Sequence, residues 1–290
     1  MNLEDSDSSA PLNPPSQMEE PAPSSSAWVD QAGRPLLADL RVPWDWIDVV
    51  VLALLAFLSV TFVIPLFLVM SFSMVGIGRA QLSGSVADRN LLAILDQVIL
   101  SFGLLAYLAA QIRMRVKTGF WRTIGWVPLE TGRMPRGVVY LGLVLGGIFV
   151  AIVTSVASAA FPPKRQLPIQ VIYQDRHTAI LFMLMAVLLA PVVEETLFRG
   201  YIYPVVARAF GIPASVIITG TLFGLLHSFQ LWGGWWAIGL IVLVGIIFTF
   251  VRAVTHTVLA SFLLHVSYNS FQVIGTLIGS HGLRHLPAIH

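Results

Sequence analysis

Long apolar runs separated by short polar gaps repeat along most of this 290-residue chain. Most of the runs reach the ~20 residues that a helix needs to cross a bilayer. The pattern predicts spans over residues 47–75, 91–112, 138–160, 180–208, 212–231, 235–251 and 256–277. The expected fold is therefore all-α, a polytopic transmembrane bundle of about seven spans. The run at 180–208 exceeds one crossing, which predicts a tilted helix or a stretch along the interface. Pro65 and Pro204 fall inside spans and predict kinks. "VPWDWIDVV", residues 42–50, opens the membrane region, with Trp44 and Trp46 placed as interfacial anchors.

The polar segments divide the chain into three regions. Residues 1–43 are rich in Pro, Ser, Asp and Glu and lack the apolar stretch of a cleavable signal peptide. Such a composition cannot bury a core, so a disordered tail is expected. Residues 44–137 hold the first spans and a basic loop, and residues 138–280 the remaining spans. The loop "RMRVKTGFWRTIGWVPLETGRMPRG" sets Arg113, Arg115, Lys117, Arg122, Arg133 and Arg136 against one acid, Glu130. That excess places the loop in the cytoplasm, and alternation puts the N-terminus, Arg208 and Arg252 on the same side. Lys164, Arg165 and Arg176 then fall outside. "FWRTIGW", residues 120–126, mixes aromatic and basic residues and is expected to rest on the membrane surface.

Composition narrows the chemistry. The chain is 56% hydrophobic and 11% charged, against about 25% charged in soluble domains. This is an integral, multi-pass membrane protein, with a bacterial cell membrane as the expected location. The basic residues sit between spans, where topology accounts for them, so nucleic acid is not an expected partner; the lipid bilayer is. There is no cysteine, which excludes disulfides, zinc–thiolate sites and thiol nucleophiles. Acids, histidines and hydroxyls remain.

Within "PVVEETLFRGY", residues 191–201, two acids stand side by side in one of the most apolar parts of the chain, and no other acid follows Arg176. Ionisable groups inside a bilayer are costly and by default face the bundle interior and mark function. Glu195 and Arg199 are four apart, so they share a helical face and can pair. Glu194 is turned about 100° away and is the freer carboxylate. Phe223 shares a face with His227, and His265 with Asn269. Helical rise puts Glu194 ~21 Å, His227 ~20 Å and His265 ~15 Å from the cytoplasmic end of their spans, depths at which they can meet. Outside this group, Asp96 and Gln97 in the second span read as packing or interface residues. "LWGGWW", residues 231–236, reads as a tight turn in an aromatic belt, and His281 and His285 as part of an exposed tail.

"EETLFRG", "FGLLH" and "HVSYN" resemble, in order and separation, the EExxxR, FxxxH and HxxxN signatures of the CPBP family, which holds type II CAAX prenyl endopeptidases and bacteriocin-processing or immunity proteins. The resemblance covers about residues 180–275. It implies an intramembrane endopeptidase in which Glu194 activates water, His227 helps to hold it, and His265 with Asn269 stabilises the oxyanion. Glu195 and Arg199 would support the site from the same helix. The implied substrate is a peptide precursor or a prenylated or otherwise lipidated protein.

The residues leave the cofactor open. Glu194, His227 and His265 could also hold a divalent metal such as zinc, with water in an open position, although the HExxH pattern of zincins is absent. Two further readings stay open. A non-catalytic scaffold or immunity protein would keep the cluster for binding. A transporter would use it as a proton relay, against which its confinement to one depth argues.

Overall fold

The computed structural model describes residues 35–78 and 84–283. Residues 1–34 and His285 lie outside the described residues. Among the described residues, six helices are long and apolar enough to span a membrane: α1 (Trp46–Met74), α2 (Val86–Arg115), α4 (Arg136–Ala160), α5 (Arg176–Phe210), α7 (Trp235–Thr255) and α8 (Val258–Gly279). A single turn, α3 (Phe120–Thr123), lies in the basic loop, and α6 (Ile212–Leu226) follows α5. Every span begins or ends at a polar signal. Asp45 with Asp48 and Ser85 with Asp88 form capping boxes at α1 and α2. Asp175 and Thr257 cap α5 and α8 by accepting a backbone N–H from the first turn.

The fifth expected span ends early. α6 has 15 residues, about 22 Å of helix against a hydrocarbon core of about 30 Å. The chain leaves it at His227 and turns through residues 227–233. The apolar run read as membrane-spanning to residue 231 is therefore a shorter helix plus a largely exposed turn. The α5–α6 reversal takes one residue, Gly211, at φ +79°, a left-handed value that glycine adopts without penalty.

Small residues let α6 and α7 approach backbone to backbone. A Cβ on Gly220 would meet Ile246 N at 2.4 Å, and one on Gly224 would meet Val242 Cα at 2.6 Å. This is the GxxxG principle of helix contacts in lipid, where close van der Waals packing replaces hydrophobic drive. Gly147 does the same for α4, since its Cβ would meet the Leu264 carbonyl of α8 at 2.3 Å. A core of Ala151, Val244, Phe248, Leu264 and Tyr268 fills the space between α4, α7 and α8. Most of α1 faces outward, with Ile47, Phe62 and Leu66 among its exposed side chains, as a lipid-facing span should.

The expected kinks take a specific form. Wide π turns at Ser59–Val63, Met185–Leu189 and Thr196–Ile202 each precede a helical segment with proline as its second residue: Pro65, Pro191 and Pro204. Proline has no N–H and its ring collides with the carbonyl four residues back. Widening the preceding turn removes that collision without breaking the helix.

The basic end is closed by two segments that the sequence pattern assigned elsewhere. Residues 35–43, expected to belong to the tail, pack against the bundle. Leu36, Leu40, Val42 and Trp44 are buried, and Asp39 pairs with Arg252 at 2.7 Å. Four apolar anchors and one ion pair outweigh the polar composition of the residues before them. The aromatic–basic loop is also drawn inward. Phe120 and Ile124 are buried, Ile124 packs against Gly200, and the Gly125 carbonyl accepts from Val258 N at 2.9 Å. It wedges between α5 and α8 through these residues, while Trp121 stays exposed.

Candidate active site

The site begins with a helix that carries two acids into the bundle. Glu195 and Arg199 both have zero exposure, and Arg199 Nη1 donates to Glu195 Oε1 at 3.0 Å. The pairing expected from their spacing is present. Two charges without water need every other valence satisfied. Arg199 Nη2 donates to the Gly245 carbonyl at 2.8 Å and Nε to Thr249 Oγ1 at 3.2 Å. Its guanidinium carbon lies 4.5 Å from the Phe223 ring centroid and 5.6 Å from that of Phe248, a cation–π cage. Arg199 thus ties α5 to α6 and α7.

His265 brings α8 to the same carboxylate. Its Nδ1 donates to Glu195 Oε1 at 2.9 Å, and its Nε2 lies 3.7 Å from Glu194 Oε2. The imidazole is almost fully buried, whereas the Glu194 side chain keeps 24% of its exposure. The two acids therefore differ as their faces predict: one is locked, the other reaches open space. A carboxylate can only accept, so Glu195 fixes the proton on Nδ1 and aims Nε2 at the Glu194 side. Sequence spacing assigned Glu195 to Arg199 alone; its grip on His265 crosses between helices, and no local pattern encodes it.

Asn269, one turn beyond His265, donates from Nδ2 to the Ala186 carbonyl at 2.7 Å. That carbonyl lies five residues before Pro191, in the π turn Met185–Leu189. Residue 191 would be its partner in a continued π ladder, but proline has no N–H to give. Asn269 fills the vacancy and clips α8 to α5.

His227 sits at the end of α6, where Nδ1 meets the Phe223 carbonyl of its own helix at 2.9 Å. A carbonyl accepts, so Nδ1 carries the proton and Nε2 is an acceptor. The Phe223 ring is the link to the other imidazole: its centroid lies 4.8 Å from His227 and 5.8 Å from His265. No hydrogen bond or ion pair joins His227 to Glu194 or Glu195 among the described residues. The cluster is thus Glu194, Glu195, Arg199 and His265, with Asn269 beside it and His227 across Phe223.

Three neighbours were not legible beforehand. Trp126 of the basic loop donates from Nε1 to Thr196 Oγ1 at 3.0 Å, next to Glu195. Phe248 stacks 5.0 Å from His265, and Thr249 receives Arg199. All three sit in stretches whose pattern reads only as loop or apolar helix.

The suggested metal donors, Glu194, His227 and His265, are not drawn into a three-donor group. Among the described residues, no group of three or more His, Asp or Glu side chains is spaced to hold an ion. His265 keeps Nε2 toward Glu194, and no hydrogen bond or ion pair joins His227 to Glu194 among the described residues.

No curated protein and no solved structure matches the chain. Residues 176–271, from the first turn of α5 to the middle of α8, match the profile of a family described as Rce1-like, type II CAAX prenyl endopeptidase Rce1-like. The matched span covers about a third of the chain and carries Glu194, His227, His265 and Asn269, and the match supports a CPBP-type intramembrane protease.

Proposed function

We propose that the protein is an intramembrane endopeptidase that cleaves a prenylated or otherwise membrane-anchored protein near its C-terminus, with Glu194 as the general base. The supporting observation is the division of labour between the two acids: Glu195 is spent on Arg199 and His265, and Glu194 is left half-open opposite His265 Nε2.

In this reading a water binds between Glu194 and His227, whose Nε2 accepts one of its protons as a hydrogen bond. Glu194 removes the other proton, and the hydroxide attacks the scissile carbonyl carbon. Negative charge develops on the carbonyl oxygen. His265, held by Glu195, and the second amide N–H of Asn269 stabilise that oxygen. Collapse expels the amine as Glu194 returns its proton to the leaving nitrogen. Water is consumed, two peptides leave, and no covalent intermediate forms. The buried Glu195–Arg199 pair keeps the charge balanced and the donors fixed, so little reorganisation accompanies the reaction.

The membrane anchor of the substrate is the finer part of the proposal and rests on the family. An N-terminus in the cytoplasm fits the arginine-rich loop. The test is cleavage of a farnesylated peptide and its unmodified counterpart by purified protein in lipid nanodiscs. Cleavage of the prenylated peptide, abolished by Glu194→Gln, is expected. Undiminished cleavage by Glu194→Gln rejects the general base, and equal cleavage of both peptides rejects the anchor.

A further inference from the structure

An open cavity lies away from the carboxylate cluster. It holds about 400 Å³ between α4, α7 and α8 at the end opposite the arginine-rich loop. Its walls are of two kinds. Ser155, Ser158, Tyr268 and Gln272 present neutral hydrogen-bonding groups, while Leu240 and Ile241 present alkyl surface. Some of the polar groups are already knitted together: Ser155 Oγ donates to Gln272 Oε1 at 2.9 Å, and Gln272 Nε2 approaches the Tyr268 hydroxyl at 3.4 Å. No charged residue lines it.

The depth of the cavity is set by its frame. Ser158 lies two residues from the end of α4, and Leu240 five residues into α7. Trp232, Trp235, Trp236 and Phe161 are exposed around the same end, the position of an interfacial aromatic belt. Trp236 closes the rim by donating from Nε1 to the Ala157 carbonyl at 3.0 Å, and its ring packs 4.8 Å from Phe161. At 1.5 Å per residue the hydroxyls sit within about 10 Å of that belt, the level of lipid ester groups. Pro162 and Pro163 form the outer lip. The next two residues are Lys164 and Arg165, both exposed.

We propose that this cavity binds one anionic glycerophospholipid of the leaflet on that side. Its phosphate meets Lys164 and Arg165, its glycerol esters meet Ser158 and Gln272, and an acyl chain lies along Leu240 and Ile241. Exposed cations outside the lip, with neutral donors and an alkyl wall side by side within the cavity, match the kinds of group in that lipid. The cations supply electrostatic attraction. The neutral donors suit ester carbonyls, which carry no charge, and a cavity without fixed charge does not exclude an alkyl chain.

The experiment is native mass spectrometry of the full-length protein, delipidated in detergent and titrated with phosphatidylglycerol or phosphatidylcholine of the same chain length. One phosphatidylglycerol is expected to be retained. Lys164→Gln with Arg165→Gln should weaken it about 30-fold at low salt, a factor of about five per surface cation. Ser158→Phe, which fills the cavity and leaves the cations in place, should also remove it. Inorganic phosphate, monitored by thermal shift, should not reproduce the stabilisation that the lipid gives. Retention of both lipids alike, retention undiminished in either variant, or equal stabilisation by phosphate overturns the proposal. The binding readout is independent of peptide cleavage, so its failure leaves the protease reading untouched.

Discussion

Glu195 Oε1 is shared by His265 Nδ1 at 2.9 Å and Arg199 Nη1 at 3.0 Å. One buried oxygen thus joins α5 to α8 and holds the imidazole that faces Glu194. The two neighbouring acids should then fail differently. Glu195→Ala strands a buried guanidinium, a defect that costs about 3–5 kcal/mol, and it frees His265 to rotate. A large fall in melting temperature together with lost cleavage is expected. Glu194→Gln should lower kcat by at least about 100-fold, as loss of a general base does, while the melting temperature holds. Thermal unfolding and cleavage, measured side by side on the two variants, check this.

Arg199 is held by a carboxylate, a carbonyl, a hydroxyl and aromatic faces at once. A lysine has one ammonium and no planar fork, so it cannot reach all of these from one position. Arg199→Lys should therefore rescue little of the stability that Arg199→Met loses. The measurement is the yield of monodisperse protein and its melting temperature in detergent. A lysine variant as stable as the parent contradicts this account of the cage.

The parts of this architecture visible in the sequence are those with local periodicity. Apolar runs mark the spans, and i,i+4 spacing marks the Glu195–Arg199 pair. The three motifs mark α5, α6 and α8. What the sequence conceals depends on contacts between helices. Nothing local tells that Glu195 also takes His265, or that Asn269 serves the Ala186 carbonyl. The sequence pattern over-extends α6 because Phe229 and Leu231 in the turn carry the apolar pattern past its end. Residues 35–43 were assigned to the tail because their anchors are interspersed with polar residues. Their order comes from surfaces far along the chain, such as Arg252.

Proline and asparagine are coupled across α5 and α8. Pro191 leaves the Ala186 carbonyl without its helical partner, and Asn269 supplies one. Pro191→Ala restores an N–H able to compete for that carbonyl. Asn269→Ala alone strands a buried acceptor, which costs about 1–3 kcal/mol. In the Pro191→Ala background the same change should cost less. A double-mutant cycle on thermal stability measures the difference, and additive costs would show that the two residues act independently.

The α6–α7 contact should be the least tolerant surface in the protein. The turn that carries His227 follows directly from α6, so the position of that imidazole depends on how closely α6 lies against α7. Gly220 and Gly224 allow contact with the Ile246 and Val242 backbone, and the partner Gly245 has the Gly220 carbonyl where its own Cβ would stand, at 2.4 Å. Backbone cannot yield as a flexible side chain can. Gly220→Ala should separate the helices and destabilise by about 1–3 kcal/mol, the range for overpacking a core. Gly239 lies on the same helix as Gly245 and has open space where a Cβ would go. Gly239→Ala should therefore be neutral or slightly stabilising, since alanine favours helix. Melting temperatures of the two alanine variants separate steric contact from helix propensity: equal shifts would mean that close approach of α6 and α7 is not what holds the His227 turn in place.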